Sequence, residues 1–317
     1  MKEQSLRYEL GKGNPVLSGI PNRKTAKQYT RHVDRFCKWA AAQGIKRRSH
    51  LEKAYGTDQA AVQSYADYLR AQGYTASTVH DYLVGICRAA GLSLQEIEKP
   101  RRITSDNVRS RPAAGRNRDA EREAKSGRYD GLLDFQARIG IRRAELARLT
   151  GKDLVTDVDG WPCVYVRKGK GGKPQLQRIL PGDVDAVKAY FADKLPDERI
   201  FPPGIMRNHL DLHALRHDHA KECYWYYASM TDSERWTLRQ DLINRYRTHA
   251  GRDNWDKWIQ EADTDDGRYR LRGSSAAYAR AHGLPTEYDR LAILAVSVFH
   301  LSHWRLDVTV SNYLNVA

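Results

Sequence analysis

The chain has 317 residues, 41% apolar and 29% charged, enough for two folded domains of ordinary size. Lysine plus arginine is 53 against 39 acids, a formal +14 that attracts polyanions and makes nucleic acid the leading partner, although ribosomal and membrane-surface proteins share such a surplus. No apolar run reaches the roughly 20 residues of a membrane span, no signal segment opens the chain, and Cys37, Cys87, Cys163 and Cys223 are too scattered for a zinc ribbon or disulfide framework. The expectation is a protein that works inside the cell, off the membrane.

Residues 1–20 are Gly-rich and polar and read as a flexible arm. Over 21–98 the spacing predicts a small helical domain. Tyr29, Val33, Phe36 and Ala40 share one face of a first helix, and Ala61, Tyr65, Tyr68 and Leu69 share the inner face of a second that starts at a Thr57-Asp58 cap. Val79, Leu83, Ile86 and Cys87 mark a third, and a short fourth follows Ser93. Residues 99–118 then form a basic linker, with Lys99, Arg101, Arg102, Arg109, Arg111, Arg116 and Arg118 as candidate contacts to a DNA backbone.

The second domain, 119–317, opens on a helix carrying Leu132, Leu133, Gln136 and Ile139 and broken at Gly140. Asp159-Gly160 signals a turn, and Val164, Val166, Leu176 and Ile179 flank a Gly/Lys loop, so a small antiparallel sheet is expected among helices. The fold class is therefore mainly α with a small antiparallel sheet, in two domains.

Four segments carry chemistry. Gly140 to Leu154 sets an arginine after a glycine break at a helix start, where guanidinium and amides can meet a phosphate. In Arg167 to Pro181, a lysine on a glycine loop can reach a neighbouring site as a mobile acid. Leu212 to Ala220 places His213 and Arg216 three residues apart on one helical face, with His217 and His219 following. No H-E-x-x-H and no acid at ligand spacing accompany them, so no metal is expected. The last segment, His300 to Ala317, brings His303 and Trp304 near Tyr313, the only tyrosine beyond His303.

In this order the four segments resemble the tyrosine recombinase/phage integrase family over roughly residues 22–317. Gly140, Arg142, Glu145 and Leu146 match G-x-R-x-x-E-L and select Arg142 over Arg143 as first catalytic arginine. Lys170 takes the hairpin-lysine position, with Lys168 and Lys173 as DNA-contacting neighbours, and His213, Leu215, Arg216 and His217 complete H-x-L-R-H. Leu301, Ser302, His303 and Tyr313 match the terminal motif. The resemblance implies a two-domain DNA clamp, with a four-helix core-binding domain and an α+β catalytic domain. Tyr313 would attack a DNA phosphate, Arg142 and Arg216 would stabilise the transition state, and Lys170 would protonate the leaving 5′-oxygen. His213 would be base or donor, His303 a second donor, and Glu145, His217 and Trp304 supporting groups. It implies no cofactor. The partners would be double-stranded DNA with a specific attachment site and, at synapsis, a homo-tetramer of chains that are monomeric or dimeric when free. The setting would be cytoplasmic, at the nucleoid.

Three departures stand out. Ser302 replaces the usual Gly, and His303 lies ten residues before Tyr313 where nine is usual, which leaves His303 or Trp304 to face the phosphate. The long separation of Arg216 from His303 puts an insertion within about 231–288, read as a folded surface module around Trp236, Trp255 and Trp258. A type IB topoisomerase-like enzyme would use the same groups, and a non-catalytic DNA-binding regulator is the alternative from another class.

Overall fold

The computed structural model of the chain describes residues 4–101, 118–169, 172–249 and 267–315. The protein is mainly helical with two small antiparallel sheets, and divides into two compact units, Met1–Arg111 and Pro112–Ala317. No helix among the described residues is long and apolar enough to cross a membrane.

The first unit contains α1 (Pro15–Ser18), α2 (Arg23–Ala42), α3 (Arg48–Tyr55), α4 (Asp58–Ala71) and α5 (Ala76–Ala90). Side chains of Asn22, Thr57 and Thr75 accept from first-turn amides of α2, α4 and α5, which fixes where these helices start. Val33, Phe36 and Ala40 meet Ala61, Tyr65 and Leu69 and Val79, Leu83 and Ile86 in one core, on the faces the spacing indicates. Tyr68 is the exception, being 41% exposed. The helix α3 has no counterpart in the sequence reading, because Leu51 is its one buried side chain and a single residue makes no period. After Ser93 the chain makes only a 3-10 turn, Leu94–Glu96.

The flexible arm expected over residues 1–20 is corrected. A π-helical turn at Tyr8–Lys12 and α1 fold into this unit, and Leu6, Leu10 and Leu17 lie in the same core as Phe36. The Leu6 amide donates to the Lys46 carbonyl at 2.9 Å. Asn14 caps α1 while its Nδ2 donates to the Ala89 carbonyl at 2.8 Å. Burying three leucines offsets the ordering of a glycine-rich segment.

In the second unit, α6 (Arg118–Ala124), α7 (Asp130–Ile139) and α8 (Arg143–Leu146) precede β1 (Leu154–Thr156), β2 (Pro162–Val166) and β3 (Gln175–Arg178). The sheet order is β1-β2-β3, and the β1–β2 turn ends on Gly160 at φ 87, where a side chain would be strained. The β2–β3 ladder pairs Val164 with Gln177 and Tyr165 with Leu176. Then come α9 (Val184–Ala189), α10 (Pro203–Met206), α11 (Leu212–Ala228) and α12 (Asp232–His249). A ribbon of β4 (Arg268–Arg270) and β5 (Glu287–Asp289) encloses α13 (Gly273–Ala281). The chain closes through α14 (Arg290–Ala295), a π turn Val296–His300, α15 (Leu306–Thr309) and a second π turn Val310–Leu314.

The reading of 231–288 as a surface module is also corrected. Leu238, Leu242 and Tyr246 of α12 are buried, the first two in the cluster that holds Phe299 and Tyr313. Between them Asp241 and Arg245 point inward. The Arg178 guanidinium donates to Asp157, Asp159 and Asp241 at 2.7–2.8 Å and lies 3.8 Å from the Phe299 ring centre, while Arg245 donates to Asp157 at 2.7 Å. This buried ion network ties α12 to β3. Trp255 and Trp258 lie outside the described residues, and Trp236 is exposed.

Candidate active site

The α11 helix begins at Asp211, whose carboxylate accepts from the amides of His213 and Ala214. One turn later the helix carries Arg216 inward, fully buried. Arg216 donates to the carbonyls of Gly140 and of Leu301, the latter at 3.1 Å, and its Nε lies 3.4 Å from the Tyr313 hydroxyl. Two carbonyls from distant segments thus lock the guanidinium and leave one edge toward the phenol. Burial pulls the Arg216 pKa below its ordinary value, with Tyr313 acting against that pull.

Gly140 has a physical reason to be glycine. It ends α7 at φ 63, and a Cβ there would meet the His219 ring at 2.5 Å. The chain then turns into Arg142, whose backbone amide and guanidinium both donate to Glu145 at 2.8 Å. Glu145, only 2% exposed, therefore orients Arg142. Arg143 instead reaches Asn208 and the Leu210 carbonyl.

Imidazoles surround the phenol. The His217 ring centre lies 4.8 Å from that of Tyr313, His303 5.9 Å and His213 6.1 Å. His213 is exposed, whereas His217 and Tyr313 are buried. Burial, then Arg216, Arg142 and Arg305, push the His303 pKa down to about 3, so the ring is neutral near pH 7. Its Nδ1 lies 3.5 Å from Ser297 Oγ, and its buried Nε2 has no hydrogen-bond partner among the described residues. A buried imidazole nitrogen left open beside a phenol and an arginine suits a ligand oxygen.

His303 and Trp304 point to different neighbours. His303 faces Tyr313, while Trp304 turns to Tyr246 of α12 at 5.6 Å. Ser302 and Trp304 on either side are left-handed, at φ 52 and 57, and this explains why glycine suits the Ser302 position. The tail before Asn315 winds as the Val310–Leu314 π turn, where the Asn315 amide reaches the Val310 carbonyl at 2.7 Å.

Lys170, Arg102, Arg109, Arg111 and Arg116 lie outside the described residues, and Arg118 opens α6. Gly169 approaches Glu145, since a Cβ there would lie 3.5 Å from Glu145 Oε1. Lys168 and Lys173 are exposed, and so is Arg101. Lys99 holds the carbonyls of Leu94 and Ile97 at 2.7 and 3.2 Å, so its ammonium serves as a local cap.

Sequence reasoning missed one cluster. His219, Cys223 and His300 are buried with their ligand atoms within 4.8 Å of one another. Tyr227 contacts His300 Nε2 at 3.0 Å, His300 Nδ1 contacts His219 Nε2 at 3.2 Å, and His219 hydrogen-bonds the Ala137 backbone. These contacts form a closed hydrogen-bonded chain. Arg178, Arg245 and Arg216 press the His300 pKa further down after burial, and the same positive field disfavours a divalent cation. The members come from two distant segments, so no local spacing signals them.

No protein-family model and no curated protein matches the chain. It is similar to a solved structure described as the crystal structure of XerA recombinase, at 17% identity over 78% of this chain and 89% of that chain, with a TM-score of 0.25.

Proposed function

We propose that the chain is a site-specific DNA recombinase that cleaves and rejoins strands through Tyr313. The observation that carries this reading is the Tyr313 hydroxyl 3.4 Å from Arg216 Nε, inside a ring of His213, His217 and His303. A phenol with an ordinary pKa near 10 is a poor nucleophile, so catalysis depends on stabilising the charge on the phosphate it attacks. Arg216 and the Glu145-oriented Arg142 supply that charge, and neutral His303 offers Nε2 as a donor. The Tyr313 oxygen forms a bond to phosphorus, its proton passes to His213, and the 5′-oxygen leaves with a proton from Lys170. A 5′-hydroxyl reverses the step on another strand, so the phosphodiester energy is conserved and neither ATP nor a metal is required. Action on paired attachment sites, assembly as a tetramer and residence at the nucleoid belong to the same proposal.

The test uses the full chain and nicked duplexes that trap covalent adducts. Tyr313→Phe is expected to keep DNA affinity and lose the adduct on a denaturing gel. An adduct that persists in Tyr313→Phe overturns the assignment.

A further inference from the structure

A second charged feature of the C-terminal unit plays no part in that chemistry. A cavity of about 470 Å³ is lined by Arg268, Arg270, Arg272 and Arg290, together with Ser275 and Ser311. Arg268 and Arg270 project from alternate positions of β4, Arg272 precedes α13, and Arg290 opens α14. Glu287 pairs with Arg270 at 3.2 Å, but Asp289 is held by Arg235 at 2.9 Å and Asp307 by Arg305 at 2.7 Å, both outside the cavity lining.

We infer that this cavity binds phosphate groups behind the C-terminal helix and braces the turn that carries Tyr313. Several guanidiniums and two hydroxyls around a concave space match the many oxygens and multiple charge of phosphate, through bidentate contacts. Ser311 links the cavity to the tail, since it lies two residues before Tyr313 in the same π turn. Asn315, just past that turn, donates to the Ser275 carbonyl at 3.4 Å, so the tail is joined to a second part of the lining. A bound anion holds the arginines of β4 and α14 against the tail and reduces its fraying. The phosphate comes either from a DNA backbone or from a free oligophosphate.

Binding can be measured without any cleavage, so its failure is separate from failure of the Tyr313 assignment. Tripolyphosphate is titrated into the full chain by calorimetry at low salt. Arg268→Gln/Arg272→Gln, changed at two exposed positions, and the single variant Arg290→Gln are each expected to weaken binding about tenfold, equivalent to about 1.4 kcal/mol. A charge-matched Lys125→Gln/Lys188→Gln control is expected to change it less than twofold. Bound tripolyphosphate should also slow hydrogen exchange at amides 306–315. Equal weakening in the control, or no added protection over 306–315, overturns the inference. Displacement of the probe by a duplex that leaves the pocket variants unaffected assigns the site to DNA phosphate, whereas retention of the probe against excess duplex assigns it to free oligophosphate.

Discussion

The interiors of the two units differ in kind. The N-terminal core is built from aliphatic residues and a packed group of rings, Phe36, Trp39 and Tyr65, with Asn14 and His32 as its buried polar side chains among the described residues. The C-terminal interior buries Arg178, Arg216, Arg245, Asp157, Asp241, His217, His219 and His300. Hydrophobic burial alone can hold a small helical domain, so interior charge is not needed for folding. Where it is retained, it marks groups held in place for chemistry or for fixing one arrangement of helices.

That contrast can be broken most sharply at Arg216. Arg216→Met is expected to lower the rate of adduct formation on the order of 10³-fold, as loss of an oriented charge at the reacting phosphate does. Phe36→Ala is expected to destabilise the N-terminal core by about 3–5 kcal/mol and to leave the rate of the folded fraction unchanged. If single-turnover rates fall equally in both variants, interior charge and apolar core do not have separate roles.

Next in size is the ion network. Arg178→Met leaves Asp157, Asp159 and Asp241 without that guanidinium, and denaturant titration should show a loss of about 3–5 kcal/mol. A loss below about 1 kcal/mol, the range of surface pairs, would mean that α12 is held by its leucines alone.

The buried imidazoles sharpen the comparison through pH. His219 and His303 have folded-state pKa values of about 3, and His300 lies well below its ordinary value, mainly through burial. Below about pH 6.5 the unfolded chain takes up protons that the folded chain refuses. Stability is therefore full above pH 6.5 and falls as pH drops from there toward 3, by up to about 1.4 kcal/mol per pH unit for each imidazole. Denaturation of His303→Gln at several pH values should give a shallower dependence than the parent chain. An unchanged slope would remove His303 from the set. The smallest effect lies in the N-terminal unit, where Thr57→Ala removes a helix cap and is expected to cost about 1 kcal/mol by the same measurement.

Much of this was legible where a local period or a short motif carries the information. The apolar faces of α2, α4 and α5 follow from spacing, while Arg142 and Arg143, adjacent in sequence, send their guanidiniums to Glu145 and to Asn208. Composition misled over residues 4–20, because glycines and polar groups outnumber the leucines that do the packing. In α12 the ionisable Asp241 and Arg245 occupy inward positions, so the apolar pattern looks broken although the helix is central. The partners of Arg216 at Gly140 and Leu301 are backbone carbonyls, which no side-chain pattern reveals.

The closed chain from Tyr227 through His300 to His219 has a spectroscopic consequence. Its ring N–H protons are engaged by other nitrogens or by a carbonyl and are shielded from solvent. Such protons exchange slowly and resonate apart from the amide envelope, so the interior of the C-terminal unit carries its own nuclear magnetic resonance reporters. Because His219 lies on α11 and His300 closes the π turn after α14, loss of their signals would register separation of those two segments before the backbone unfolds.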